Sequence, residues 1–90
     1  MVTPPILKAQ AMYYVYILKK PGSEMIYIGY SADLKQRIKT HTDREHRGWR
    51  LVYYEAYLSE KDARLRERRL KSYGSALSLL KKRIEHSLST

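Results

Sequence analysis

The chain contains no cysteine and no phenylalanine, only three prolines and four glycines, and half as many acidic as basic residues. Without cysteine there is no disulfide framework, no thiol nucleophile and no thiolate zinc site; the compartment is left open, with the reducing cytoplasm as the default expectation. No apolar run approaches the ~20 residues needed to span a membrane. The opening stretch MVTPPILKAQA has neither the basic start nor the long apolar segment of a signal peptide, and Pro4-Pro5 keeps it from being helical. A loose leader over 1–11, ahead of a second methionine at Met12, is therefore expected to precede one domain over 12–90. At 90 residues the chain suits a single domain, of a size that buries about 60–65% of its unfolded surface.

What is present in excess is positive charge and tyrosine. Eighteen Lys and Arg against nine Asp and Glu give a formal charge of +9, which favours a polyanionic partner, nucleic acid first. The basic residues are spread along the chain and the apolar ones fit a core, which argues against a membrane-surface helix. Nine tyrosines with no phenylalanine are unusual in so small a protein. A buried phenol needs a hydrogen-bond partner, so either the hydroxyls meet water or several converge on something.

YYVYIL (13–18) and MIYIGY (25–30) read as strands, joined by a turn at Pro21-Gly22-Ser23 into an antiparallel hairpin. Gly29 interrupts the second strand, as at a bulge or a close approach of another group. Ser31 is positioned to cap a helix from about Ala32 to Thr42, with Leu34 and Ile38 on its buried stripe and Arg37 and His41 together on an adjoining face. DREHRG is a charged loop, and WRLVYYEAY (49–57) is a third strand. SEKD (59–62) fits a capping box for a second helix running to about Tyr73. Gly74 is expected to end that helix in the left-handed region and Ser75 to cap a third, with Leu77, Leu80, Ile84 and Leu88 on one face. The order is β-β-α-β-α-α.

In the second helix Ala63, Glu67 and Leu70 share the inward line, so Glu67 is a carboxylate flanked by small and apolar residues. Such a group needs an ion-pair partner or a metal. Arg64 and Lys71, three before and four after, are within reach of it; a divalent cation that takes one carboxylate, waters and a substrate phosphate is the other account. His41, beside a basic residue on a helix, reads on its own as a solvated surface group. His46 and His86 have no partner at metal-ligand spacing.

These residues resemble the GIY-YIG nuclease superfamily, in particular its small stand-alone single-domain members, relatives of the nuclease domain of the bacterial excision-repair incision subunit. YVY (14–16) stands where the family has GIY, YIG (27–29) matches unaltered, DLKQRIKTH resembles the helix with marked positions at Arg37 and His41, and ARLRERRLK resembles the helix carrying the metal-binding glutamate, here Glu67. The likeness runs from Tyr13 to about Ile84. Tyr14 replaces the first glycine. The asparagine that the repair branch carries late in the domain has no counterpart, since the chain lacks asparagine altogether; Lys81 or Ser78 stands in that neighbourhood.

The resemblance implies an α+β fold, a small three-stranded antiparallel sheet flanked by helices, and an endonuclease that hydrolyses phosphodiester bonds in DNA with a single Mg²⁺ or Mn²⁺, in DNA repair or processing. It carries over Tyr16 and Tyr27, side by side on paired strands, with Arg37, His41 and the metal ligand Glu67. Gly29 would let the backbone lie close to the site. Lys35, Lys39, Arg66, Lys71 and Lys81 are candidates for phosphate contacts. Phosphodiester hydrolysis demands a barrier reduction on the order of 20 kcal/mol, which a metal at Glu67, Arg37 on the phosphoryl oxygens and a tyrosine base would share. Tyr16 is the expected base and Tyr27 its partner, with the exchange of roles left open, and Arg37, the metal and the positive field are expected to lower the phenol pKa. The alternative is a non-catalytic nucleic-acid-binding module that stacks bases on Tyr13, Tyr30, Trp49, Tyr53, Tyr54 and Tyr57. Relatives often join this module to a separate targeting domain, so a targeting protein is an expected partner.

Overall fold

A computed structural model describes residues 11–90; the expected leader lies, but for Ala11, outside the described residues. The elements are β1 (Tyr13–Lys19), β2 (Ile26–Ser31), α1 (Leu34–Asp43), β3 (Arg50–Tyr57), α2 (Glu60–Ser72), α3 (Gly74–Arg83) and α4 (Glu85–Ser89). The strands form one antiparallel sheet in the order β2-β1-β3, so the fold is the expected α+β arrangement of a three-stranded sheet with helices. Among the described residues no helix is long and apolar enough to cross a membrane.

The central strand is covered on both faces, which is why Val15, Tyr16, Ile17 and Leu18 are all buried although side chains alternate along it. Val15 and Ile17 face the main core with Ile28, Ala63, Leu70, Leu80 and Ile84, and Tyr30, Val52, Tyr53 and Tyr57 pack around it. Tyr16 and Leu18 face the other way, with Gly29 and Tyr27 opposite them on β2. A β-bulge lets Ile17 pair with Tyr53 but Leu18 with Leu51, which makes Val52 the extra residue. Two successive residues of β3, Val52 and Tyr53, thereby pack against the core.

Local chemistry corrects several expected boundaries. Ser31 ends β2, and its Oγ accepts a hydrogen bond from the Asp33 amide at 2.9 Å. Asp33 is the N-cap of α1, accepting from the Gln36 amide at 3.2 Å; a carboxylate two residues further on outcompetes the serine for the first turn. Ser59 occupies the N-cap position of α2, but its hydroxyl makes no capping bond; the dipole is instead complemented by Glu60 and Asp62 in the first turn and Arg69 and Lys71 in the last. Gly74 is not left-handed: it opens α3, with Tyr73 in extended conformation as the junction between the helices. The helical run also breaks at Ile84, yet Leu80 and Ile84 remain in the core with Leu77 and Leu88 packed against it, so the apolar stripe survives the break into α3 and α4.

Candidate active site

On the face of the sheet away from the main core, Tyr16 and Tyr27 stand on neighbouring strands with ring centroids 6.2 Å apart. Tyr16 is completely buried because its ring lies across Gly29, its direct cross-strand partner. A Cβ on residue 29 would sit 2.4 Å from the Tyr16 Cζ and 2.5 Å from its hydroxyl oxygen, so the strand needs glycine there to admit the phenol.

The Tyr16 hydroxyl has no hydrogen-bond partner of ordinary geometry. The Arg37 guanidinium lies close enough to pull the phenol pKa down, but burial outweighs it, and Tyr27 and Glu67 push the same way as burial, so the net shift is upward. The sequence reading expected Arg37, a bound metal and the positive field together to lower it; against Arg37 alone burial prevails, because a buried phenolate loses more hydration than one arginine restores. Arg37 is in turn held more firmly protonated by the phenol.

His41 is the second correction. Far from being a solvated surface group, it is the one fully buried residue of α1 and, apart from the Tyr16 phenol, the only buried polar side chain among the described residues. Leu34 and Ile38, expected as the buried stripe, are only half-buried. The imidazole stands edge-on to Tyr16 at 6.0 Å and 5.0 Å from the Tyr27 ring. Both of its ring nitrogens are buried without a hydrogen-bond partner. Burial first, then Arg37 and His46, lower its pKa against the opposing pull of Glu45, which favours the neutral ring near neutral pH.

Glu67 reaches the same region from α2. Its Oε2 accepts a hydrogen bond from Lys71 Nζ at 3.1 Å, with the carboxylate side chain 21% exposed, and its charge is felt at Tyr16. Lys71 also stands 5.8 Å from the centre of the Tyr27 ring. The i,i+4 partner anticipated from spacing is thus present, but the carboxylate is neither deeply buried nor saturated: Oε1 accepts no side-chain hydrogen bond among the described residues. A hard divalent cation suits such a donor, a carboxylate with one oxygen unengaged by any side chain, and would complete its shell with water and substrate phosphate.

The other candidates divide. Lys35, Lys39, Lys71 and Lys81 are exposed. Arg66 instead grips Glu55 on the core face, with Nη2 to Oε2 at 2.9 Å and Nε to Oε1 at 3.0 Å, and a guanidinium so engaged has little left for a phosphate. Tyr53 and Tyr57 donate their hydroxyls to the same carboxylate. Tyr30 hydrogen-bonds Glu60 and lies beneath Arg64 at 4.2 Å, and Tyr13 packs on the core. Of the tyrosines expected to stack on bases, Tyr54 is the one largely exposed, at 52%.

Sequence reasoning missed Glu55 and Glu45, gave His46 no partner, and named Trp49 only as a surface on which bases would stack. His46 stacks on His41 at 5.2 Å and lies 4.4 Å from Tyr27, with Trp49 at 4.7 Å on its far side. The five-residue separation of the two histidines matches no helical face. They meet because α1 ends in a wide turn in which the His46 amide donates to the His41 carbonyl at 2.7 Å, and the left-handed Gly48 (φ 82°) then leads into β3.

The GIY-YIG catalytic domain family model matches residues 12–81, so the chain belongs to the GIY-YIG family, a family of endonucleases. No curated protein and no solved structure is significantly similar to the chain.

Proposed function

We propose that the protein is a metal-dependent endonuclease acting on DNA, with Glu67 as the protein ligand of Mg²⁺ or Mn²⁺ and Tyr16, Tyr27, Arg37 and His41 around the scissile phosphate. The observation that carries this reading is convergence. A buried phenol with a free hydroxyl on β1, a second phenol on β2, a guanidinium and a buried imidazole on α1 and a carboxylate on α2 meet at one edge of the sheet, where the phenol of Tyr16 and both ring nitrogens of His41 have no hydrogen-bond partner. Unpartnered buried polar atoms cost about 1–3 kcal/mol each, and their retention at one place points to chemistry.

When bound, the cation would supply Lewis-acid stabilisation of the phosphoryl oxygens and the leaving alkoxide, and its positive charge would oppose the burial that, with smaller contributions from Tyr27 and Glu67, keeps the Tyr16 pKa high. Arg37 neutralises charge growing on the non-bridging oxygens. Tyr16, as phenolate, takes the proton of the attacking water, Tyr27 positions the phosphate, and His41, edge-on to Tyr16, orients the phenol. Exposed Lys35, Lys39, Lys71 and Lys81 track the DNA backbone. That path makes binding salt-dependent and weakly sequence-selective. A role in DNA repair or processing accords with the family's nuclease chemistry.

Glu67→Gln is the decisive variant. Glu67 faces an exposed lysine across a partly solvated pair, so the substitution is expected to cost no more than about 1 kcal/mol of stability. Cleavage of labelled duplex, branched and single-stranded DNA with Mg²⁺ is expected to fall by several orders of magnitude while binding persists. A folded variant that cleaves at the wild-type rate overturns the mechanism, and a wild-type protein that binds DNA tightly but cleaves none of these substrates makes it a binding module instead.

A further inference from the structure

Beyond Glu67, the described residues contain one other grouping suited to an ion: His41, Glu45 and His46 each offer a ligand atom, and the three atoms lie within 4.8 Å of one another. His41 Nε2 is 3.8 Å from Glu45 Oε2. Bound to a common ion at roughly 2.0–2.2 Å, three such atoms stand about 3–3.5 Å apart, so the closure required is on the order of 1 Å. Glu45, whose side chain is 59% exposed, has the freedom to move toward the two imidazoles, which the turn after α1 brings together.

Three of the four ring nitrogens of these histidines, both of His41 and Nδ1 of His46, are buried with no hydrogen-bond partner. Buried polar atoms are ordinarily satisfied, and two unpaired imidazoles in contact, with a carboxylate at their edge, have an obvious common partner. We infer that His41, Glu45 and His46 form a binding site for a borderline-soft divalent transition ion of the Zn²⁺ class, separate from the hard-cation site at Glu67. Two imidazoles and one carboxylate are a donor set that prefers Zn²⁺ or Co²⁺ over Mg²⁺ and leaves a coordination position for water. The ion would tie the end of α1 to the loop before β3, the segment that holds His46 against Tyr27. The inference rests on this donor set alone and stands whether or not the protein cleaves DNA.

The test is titration of chelator-treated protein with Zn²⁺, followed by calorimetry, and with Co²⁺, followed by its visible absorption. Wild type is expected to bind one ion per chain in the presence of excess Mg²⁺. Glu45→Gln and His46→Gln, at positions that are exposed and half-buried, should each weaken binding by roughly tenfold or more, whereas His86→Gln, at a histidine 98% exposed beside Glu85, should leave it unchanged. In the unaltered chain, Zn²⁺ should shift the imidazole ¹⁵N resonances of His41 and His46 together and leave His86 in place, a readout that does not depend on any variant folding. Equal affinity in wild type and the Glu45→Gln/His46→Gln double variant, or ¹⁵N shifts confined to His86, would overturn the assignment.

Discussion

On the core face of the sheet, Glu55 accepts hydrogen bonds from Tyr53, Tyr57 and Arg66, whereas on the opposite face Tyr16, His41 and His46 bury polar atoms that have none. Both clusters are built from tyrosines on β-strands and a charged group on a helix, and both sit beside the central strand. In the first, each polar group answers another, and the carboxylate stays ionised: burial alone would raise its pKa, but the hydrogen bonds from Arg66, Tyr57 and Tyr53 bring it below the usual value. In the second the groups are held by shape, with ring against ring and phenol against Gly29, and their polar atoms are left without partners. The contrast separates a cluster that stabilises the fold from one that the fold supports at a cost.

The largest expected effect breaks the second cluster. Tyr16→Phe removes the unpartnered hydroxyl and nothing else, so thermal stability should be unchanged or slightly higher, while the cleavage rate with Mg²⁺ should fall by roughly 10²–10⁴. A rate close to wild type would remove Tyr16 from the chemistry. The first cluster should respond in the opposite sense. Glu55→Gln strands Arg66 against two phenols; full burial would make this cost about 3–5 kcal/mol, and with the Glu55 and Arg66 side chains 14% and 28% exposed roughly 2–3 kcal/mol is expected. Denaturant unfolding checks it, and DNA cleavage by the folded fraction should be retained.

A smaller effect follows from alkali. Burial, reinforced by hydrogen bonding to ionised Glu55, pushes Tyr53 and Tyr57 up to about 12. Their folded pKa values exceed the unfolded value of about 10, so the stability they contribute is complete below about pH 10 and is lost as pH rises toward 12. By about pH 11 the loss should be roughly 2–3 kcal/mol for the pair, measurable as a falling unfolding midpoint in urea, and a Tyr53→Phe/Tyr57→Phe double variant should flatten that slope. The smallest effect distinguishes two basic residues by their employment. Lys39→Gln, at an exposed position on α1, should lower the slope of log affinity for DNA against log salt by about 1 with no change in stability. Arg66→Gln should leave that slope alone and lower stability, because its guanidinium is engaged with Glu55. An equal change of slope in both variants would put Arg66 back among the phosphate contacts.

Much of this architecture is written in local pattern. Apolar runs with β-branched residues mark all three strands, and the four- and three-residue spacing of Ala63, Glu67 and Leu70 marks a helix whose Ala63 and Leu70 are buried. The motif residues Tyr16 and Tyr27 are legible as types at positions, and so is the partnership of Glu67 with Lys71. Less was legible where neighbours compete: Asp33 over Ser31 for a cap, or Gly74 drawn into α3 because the chain continues as helix past an extended Tyr73.

The sequence by itself determined the element order, the positive charge and the family motifs, since each depends on residues close in the chain and on periodicities of two and 3.6. Only the tertiary structure decided which polar groups are partnered. Glu55 became the anchored carboxylate because Arg66, eleven residues away, folds onto the same face. His41 became buried and unpaired because α1 docks over the tyrosines and its terminal turn brings His46 back upon it. Burial and pairing are properties of what surrounds a side chain in space, and along the chain that surrounding is scattered over four separate elements.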